Sequence, residues 1–193
     1  MSIGYIISGK SMQGSCGNSE DNPCTCSFLE KIWGILLSSH TILILSFKLL
    51  NILLSGNLGA GKTELVRSIV IGAGNKDFVR SPTFVFINEY KGKIDITHCD
   101  FYRIEDNEHL HETGIEEYYD NSLVLMEWPE RINNNLPKDN LIIKILFNEN
   151  ENERIIKFFT SGNKSKKLFE RIIINYETNN SWHIYFKIFT NFG

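Results

Sequence analysis

Residues 49–55 form an apolar run stopped by Gly56, the pattern of a strand covered on both faces. Residues 62–73 then place apolar side chains at helical spacing and end on Gly72 or Gly74, which predicts a helix. Upstream, Phe28, Ile32 and Leu36 with Leu29, Trp33 and Leu37 also fall at helical spacing. Residues 83–90 and 93–99 read as two strands joined by a tight turn at Lys91-Gly92. Residues 105–119 are acidic and helical, interrupted at Gly114, and residues 122–127 are a short apolar run ending in a carboxylate. Residues 140–148 and 153–160 alternate as a hairpin does. Strands separated by helical segments predict an α/β fold of three layers, with a mostly parallel sheet and an antiparallel hairpin extension. Residues 1–27 are polar, rich in Gly, Ser, Asn and Cys, and read as a flexible extension. One domain over residues 28–175 and a C-terminal tail at 176–193, to which the pattern assigns no structure, complete the division.

Composition narrows the function. The chain of 193 residues is 42% hydrophobic and 12% aromatic, enough to fill a core. Its net charge of −3 excludes a protein that holds nucleic acid by bulk positive charge. The charge is uneven: residues 88–130 hold 12 acidic and 3 basic side chains, so carboxylates gather there. Cys16, Cys24 and Cys26 crowd the N-terminus and Cys99 stands beside Asp100. A single C-x-C without a second pair is a poor match to zinc-ligand spacing, so reduced thiols are expected. Residues 32–54 are long enough to cross a bilayer, but Ser38, Ser39, Thr41, Ser46, Lys48 and Asn51 break the run. Its last part must also feed the glycine turn that follows, so it reads as a buried helix and strand. With no cleavable signal visible, the expectation is a cytoplasmic protein without a membrane span.

The chemistry lies in Gly56-Asn57-Leu58-Gly59-Ala60-Gly61-Lys62-Thr63, which satisfies G-x-x-x-x-G-K-[ST] between a strand and a helix. The glycines let the chain turn sharply, so the amides of Gly59, Ala60, Gly61, Lys62 and Thr63 can face phosphate oxygens. The helix opening at Lys62 adds its positive N-terminal end. Lys62 would neutralise the β- and γ-phosphates, and the Thr63 hydroxyl would bind Mg²⁺. A carboxylate at the end of a neighbouring strand must help hold that ion. Asp100 and Glu127 both end apolar runs, and both qualify. No Asn-Lys-x-Asp signature suits guanine, since Asn75-Lys76-Asp77 is one residue short and too close to the loop, so ATP is the expected nucleotide.

Further motifs follow the loop: Arg80-Ser81-Pro82-Thr83-Phe84, Asn88-Glu89-Tyr90, His98-Cys99-Asp100-Phe101-Tyr102-Arg103, Gly114-Ile115 and Glu127-Trp128-Pro129-Glu130-Arg131. Their order and spacing closely resemble the TsaE (YjeE) family, P-loop ATPases of tRNA threonylcarbamoyladenosine biosynthesis, over residues 49–154. The resemblance implies that Ser81-Pro82-Thr83 is a switch-type loop, with Thr83 near the γ-phosphate. It implies that Asp100 acts at the catalytic water, that Glu127 binds magnesium, and that Trp128 and Arg154 contact the nucleotide. It also implies partners, a TsaB–TsaD type complex with tRNA engaged indirectly through it. Glu64 departs from the family's usual Thr or Ser. It faces the nucleotide from the helix's first turn, where its charge suits the helix dipole but opposes phosphate. His98 is read as a packing or supporting residue on the opposite face of its strand from Asp100, not as a ligand.

Two other classes fit the loop. A small-molecule kinase would need several arginines on a lid, and the six here (Arg67, Arg80, Arg103, Arg131, Arg154, Arg171) form no lid-like cluster in the sequence. A nucleotide-dependent binding module would use the bound state without turnover.

Overall fold

The computed structural model describes residues 4–10, 50–75, 77–105, 107–149, 153–178 and 187–189. Along the chain run β1 (Gly4–Lys10), β2 (Asn51–Ser55), α1 (Lys62–Gly72), β3 (Ile87–Tyr90), β4 (Ile96–Asp100) and α2 (Asn107–Glu112). After them come a 3-10 turn (Ile115–Tyr118), β5 (Leu123–Glu127), a second 3-10 segment (Pro129–Asn135), β6 (Asn140–Phe147), β7 (Glu153–Thr160), α3 (Asn163–Thr178) and β8 (Lys187–Phe189). The strands form one mixed sheet in the order β3-β4-β5-β2-β6-β7-β1-β8. The contiguous centre, β4-β5-β2-β6, is parallel, and antiparallel strands flank it on both sides.

Period-two alternation sorts the core into two faces. Ile52 and Leu54 of β2, Leu123 and Leu125 of β5 and Ile96 of β4 pack with Leu65, Val66, Ile69 and Val70 of α1 and Leu168, Phe169 and Ile172 of α3. Leu53, Val124, Met126 and Cys99 face the other way, onto Phe101, Leu110, Ile115 and Ile132. These are the three layers expected. Because β2 lies between parallel neighbours and under both layers, it is buried almost throughout, which is why it reads as an unbroken apolar run.

Several boundaries differ from the sequence reading. Residues 83–86 are not strand: the Pro82 carbonyl accepts from the Val85 and Phe86 amides, and Phe86 turns to φ 64°, so β3 begins at Ile87. The connection to β4 is longer than a two-residue turn, because Lys91 reaches Glu89 and the Gly92 amide donates to Asp95 before the chain re-enters the sheet at Ile96. Residues 4–10, read within a loose extension, form a strand antiparallel to β7. Local composition carries no sign of this, because the partner strand lies more than 140 residues away. At the other end, α3 runs through Thr178, past the boundary placed at 175, and residues 187–189 pair with β1. The helix read at residues 28–37, the Cys16, Cys24 and Cys26 group and most of the 32–54 run lie outside the described residues. Among the described residues, no helix is long and apolar enough to cross a membrane.

Candidate functional site

The loop after β2 turns on glycines that side chains could not replace. Gly56 has φ 147°, and a Cβ there would collide with the Ile145 carbonyl of the adjacent β6. Gly61 caps α1 at φ 107° with no side-chain hydrogen bond, so the first amides of the helix stay open toward the loop. The Lys62 ammonium donates to the carbonyls of Gly56 (2.7 Å) and Asn57 (3.0 Å) and sits 3.8 Å from the centre of the Trp128 ring. Burial lowers its pKa, against the opposing pull of Glu127, Glu130 and Asp100. Charge inside a half-dry cradle is what an anionic ligand would relieve.

Asp100 and Glu127 are register partners at the carboxyl ends of β4 and β5, beside the end of β2, where ligands gather in open α/β sheets. Both are almost fully buried. The Thr63 hydroxyl donates to Glu127, with its Oγ1 2.8 Å from Oε1 and 3.1 Å from Oε2. Among the described residues no group of three His, Cys, Asp or Glu could cage a metal. A hard cation that keeps most of its waters and shares phosphate oxygens needs only one or two protein oxygens, and the Thr63–Glu127 pair fits that demand.

Asp100 is held differently. Its Oδ2 accepts from Ser81 Oγ at 2.7 Å and from the Thr83 hydroxyl, and its Oδ1 accepts from the Tyr102 amide at 2.9 Å. The Ser81-Pro82-Thr83 loop is therefore closed on the acid. Trp128 adopts φ 61°, a left-handed conformation costly for a bulky residue, immediately before Pro129. That turn lets its ring cover Lys62 on one side while Tyr102 packs at 4.9 Å.

The structure thus brings Lys62, Thr63, Thr83, Asp100, Glu127 and Trp128 together. Glu64 is occupied: it pairs with Arg67 one turn along α1, which offsets the negative charge expected beside the phosphates. Arg154 stands on β7, two strands beyond β2, with its guanidinium 4.4 Å from the Phe147 ring centre. Arg103 and Arg131 stack on Phe84 and Tyr102 at 4.9 and 5.7 Å, lining with Thr83 a cleft of about 600 Å³ beside the loop. Cys99 is buried on the far face, and desolvation raises its thiol pKa well above the ordinary value, so it is an inert core residue.

One reading is corrected. His98 does not lie opposite Asp100; two residues apart on one strand, both point to the α1 side. His98 is fully buried and its Nε2 lies 2.9 Å from Glu127 Oε1. The two-residue period was the signal that places it. Ser81, too, enters as a partner of Asp100, which only the closed loop reveals.

A glycine loop closed by Lys and Thr at a helix N-terminus, with strand-end acids beside it, defines a P-loop nucleotide-binding α/β protein. The family model for "Threonylcarbamoyl adenosine biosynthesis protein TsaE" matches residues 25–156, and the chain belongs to that family. Relatives include the Haemophilus influenzae tRNA threonylcarbamoyladenosine biosynthesis protein TsaE, 39% identical over 61% of this chain and 73% of that one. The Bacillus subtilis protein of the same name is 37% identical over 62% and 75%. The crystal structure of Bacillus subtilis YdiB superposes with a TM-score of 0.62 at 25% identity, covering 93% of this chain and 99% of that one.

Proposed function

We propose that the chain is a Mg²⁺-dependent ATPase required for threonylcarbamoyladenosine modification of tRNA next to the anticodon, acting in the cytoplasm with a TsaB–TsaD type complex. The observation that carries the reading is the Thr63 hydroxyl bonded to the Glu127 carboxylate at the mouth of the phosphate loop, one strand from Asp100. Family membership and the relatives' names support the pathway.

In this reading the amides of Gly59 to Thr63 and the Lys62 ammonium bind the phosphates, Lys62 leaving the Gly56 and Asn57 carbonyls and the Ala60 amide leaving the Asn57 carbonyl to do so. Thr63 and Glu127 would hold Mg²⁺, which would supply neutralising charge to the phosphates. Trp128 screens Lys62 from water. Asp100 orients the attacking water and takes its proton once the Ser81 and Thr83 hydroxyls release the carboxylate. Loop opening is therefore coupled to turnover, and the chain alone is slow. A partner that draws the loop off Asp100, or supplies a further cation, accelerates it. The exposed carboxylates of Glu108, Glu112, Glu116, Glu117 and Asp120 offer that partner an acidic face.

A kinase is disfavoured because Arg103 and Arg131 are stacked on rings at the cleft and no lid-like arginine cluster is described. The binding-module reading draws on the three donors that hold Asp100. Phosphate release measured alone, with TsaB–TsaD, and with that pair plus tRNA, each at two salt concentrations, decides. Stimulation by the partners, weakened by salt, is expected. Tight ATP binding without release in any mixture would favour the binding module, and no ATP binding at all would overturn both readings.

A further inference from the structure

We propose that His98 is a positioning residue for the metal-binding acid, its ring fixing the Glu127 carboxylate in the orientation that meets Thr63 before any nucleotide arrives. The inference rests on the Mg²⁺–nucleotide reading and extends it to a residue outside the loop and the two acids. Glu127 ends β5 almost fully buried, and its side chain points to the α1 side, where Thr63 and His98 reach it. A carboxylate there could rotate away from the loop unless something holds it. Thr63 alone does not, because its hydroxyl reaches both oxygens, at 2.8 and 3.1 Å, and so tolerates rotation between them. His98 breaks that symmetry, with its Nε2 2.9 Å from Oε1.

An ionised carboxylate only accepts, so the proton of this hydrogen bond sits on His98 Nε2. The other ring nitrogen, Nδ1, is buried and has no partner among the described residues. In the neutral ring it is a bare acceptor, which is less costly to bury than an orphaned N–H. A leucine or phenylalanine would fill this fully enclosed position without stranding a polar atom. The chain carries that cost, and the return is the hydrogen bond to Glu127. The consequence is directional: Oε1 accepts from His98 and lies nearer the Thr63 hydroxyl, whose single proton Oε2 at most shares. Oε2 is thus the oxygen with open lone pairs, the one a hydrated cation beside Thr63 would share. Residues that hydrogen-bond a metal-binding group from behind set its orientation and tune affinity.

The test compares the parent with His98→Leu, His98→Asn and His98→Gln. Leu fills the space without a donor. The Asn amide is too short to reach the Nε2 position, whereas the Gln amide extends to it. Binding of a fluorescent ATP analogue is titrated against free Mg²⁺ and repeated in EDTA, with thermal melts as a folding control. For Leu and Asn, the Mg²⁺ concentration at half-maximal binding should rise roughly 10- to 100-fold, with EDTA binding within about 2-fold of the parent. His98→Gln should return the midpoint to within about threefold of the parent, since it restores the donor. A folded Leu or Asn variant with the parent's midpoint overturns the proposal. So does a loss of the same size in EDTA, which would mark a purely structural role. If His98→Leu fails to fold, the Asn–Gln pair decides, because the two differ only in reach. A parent that binds nucleotide without regard to Mg²⁺ would defeat the magnesium reading itself and this inference with it. A Mg²⁺-dependent parent with indifferent variants defeats the inference alone.

Discussion

Replacing Asp100 by Asn separates its charge from its shape. The carboxylate takes three donors, the Ser81 and Thr83 hydroxyls and the Tyr102 amide. The amide of Asn keeps one oxygen for the Tyr102 N–H, and its NH₂ can donate to hydroxyls that rotate to accept. Three charge-assisted bonds become neutral ones, a loss of about 1–3 kcal/mol of stability in total. If Asp100 takes the proton of the attacking water, losing the base slows the chemical step by roughly 10²- to 10⁴-fold, or about 2.7–5.4 kcal/mol. Nucleotide affinity should change little, because Thr63 and Glu127, not Asp100, form the pair offered to the cation. The assay is single-turnover hydrolysis at saturating Mg·ATP, with nucleotide affinity and a melting curve on the same preparation. A folded variant that binds normally and hydrolyses within about threefold of the parent would refute the argument, since so small a change lies below any general-base contribution. Weakened binding in step with lost Mg²⁺ dependence would show instead that the two acids exchange roles.

Glu127→Gln should raise the Mg²⁺ requirement for nucleotide binding by at least about tenfold, because the carboxylate that would hold the hard cation is lost; titration of binding against Mg²⁺ checks it. Lys62→Ala should reduce hydrolysis by about 10²-fold or more, since no other group of the loop carries positive charge to the γ-phosphate; steady-state phosphate release measures it. Gly56→Ala should melt earlier and bind nucleotide weakly, as a side chain at φ 147° would be driven into the Ile145 carbonyl; melting with and without nucleotide tests this. Asp139 accepts from the Lys164 and Ser165 amides (2.8 and 2.9 Å) at the start of α3, so Asp139→Ala should cost about 1–2 kcal/mol in urea unfolding. Burial raises the Asp139 pKa, but the Lys164 and Ser165 amides, the Ser165 side chain and the Lys164 charge together outweigh it and hold the folded pKa below the ordinary carboxylate value. The stability difference between parent and variant should therefore be full above the ordinary carboxylate value and shrink as pH falls below it.

The phosphate loop and the elements that flank it were legible in the sequence because every requirement there is local. A strand buried on both faces must be apolar, the sharp turn needs glycine, and the helix begins where the amides are needed. The strand-end positions of Asp100 and Glu127 followed from where two apolar runs stop. Which hydroxyls reach each carboxylate did not follow from those stops. Thr63 comes from α1, and Ser81 and Thr83 come from a loop that Pro82 folds back. The face occupied by His98 was determined by strand periodicity, but its bond to Glu127 required the register that sets β4 against β5. The α3 cap is the same kind of fact. Asp139 lies 25 residues before Lys164 in the chain and so close to Gly162 that no Cβ would fit between them. Residues 4–10 carry no pattern that distinguishes a strand from a tail until β7 offers them its edge. Side-chain period, turn chemistry and buried runs are set within a few residues. Which donor meets which acceptor is set by chain paths that only the packed sheet brings together.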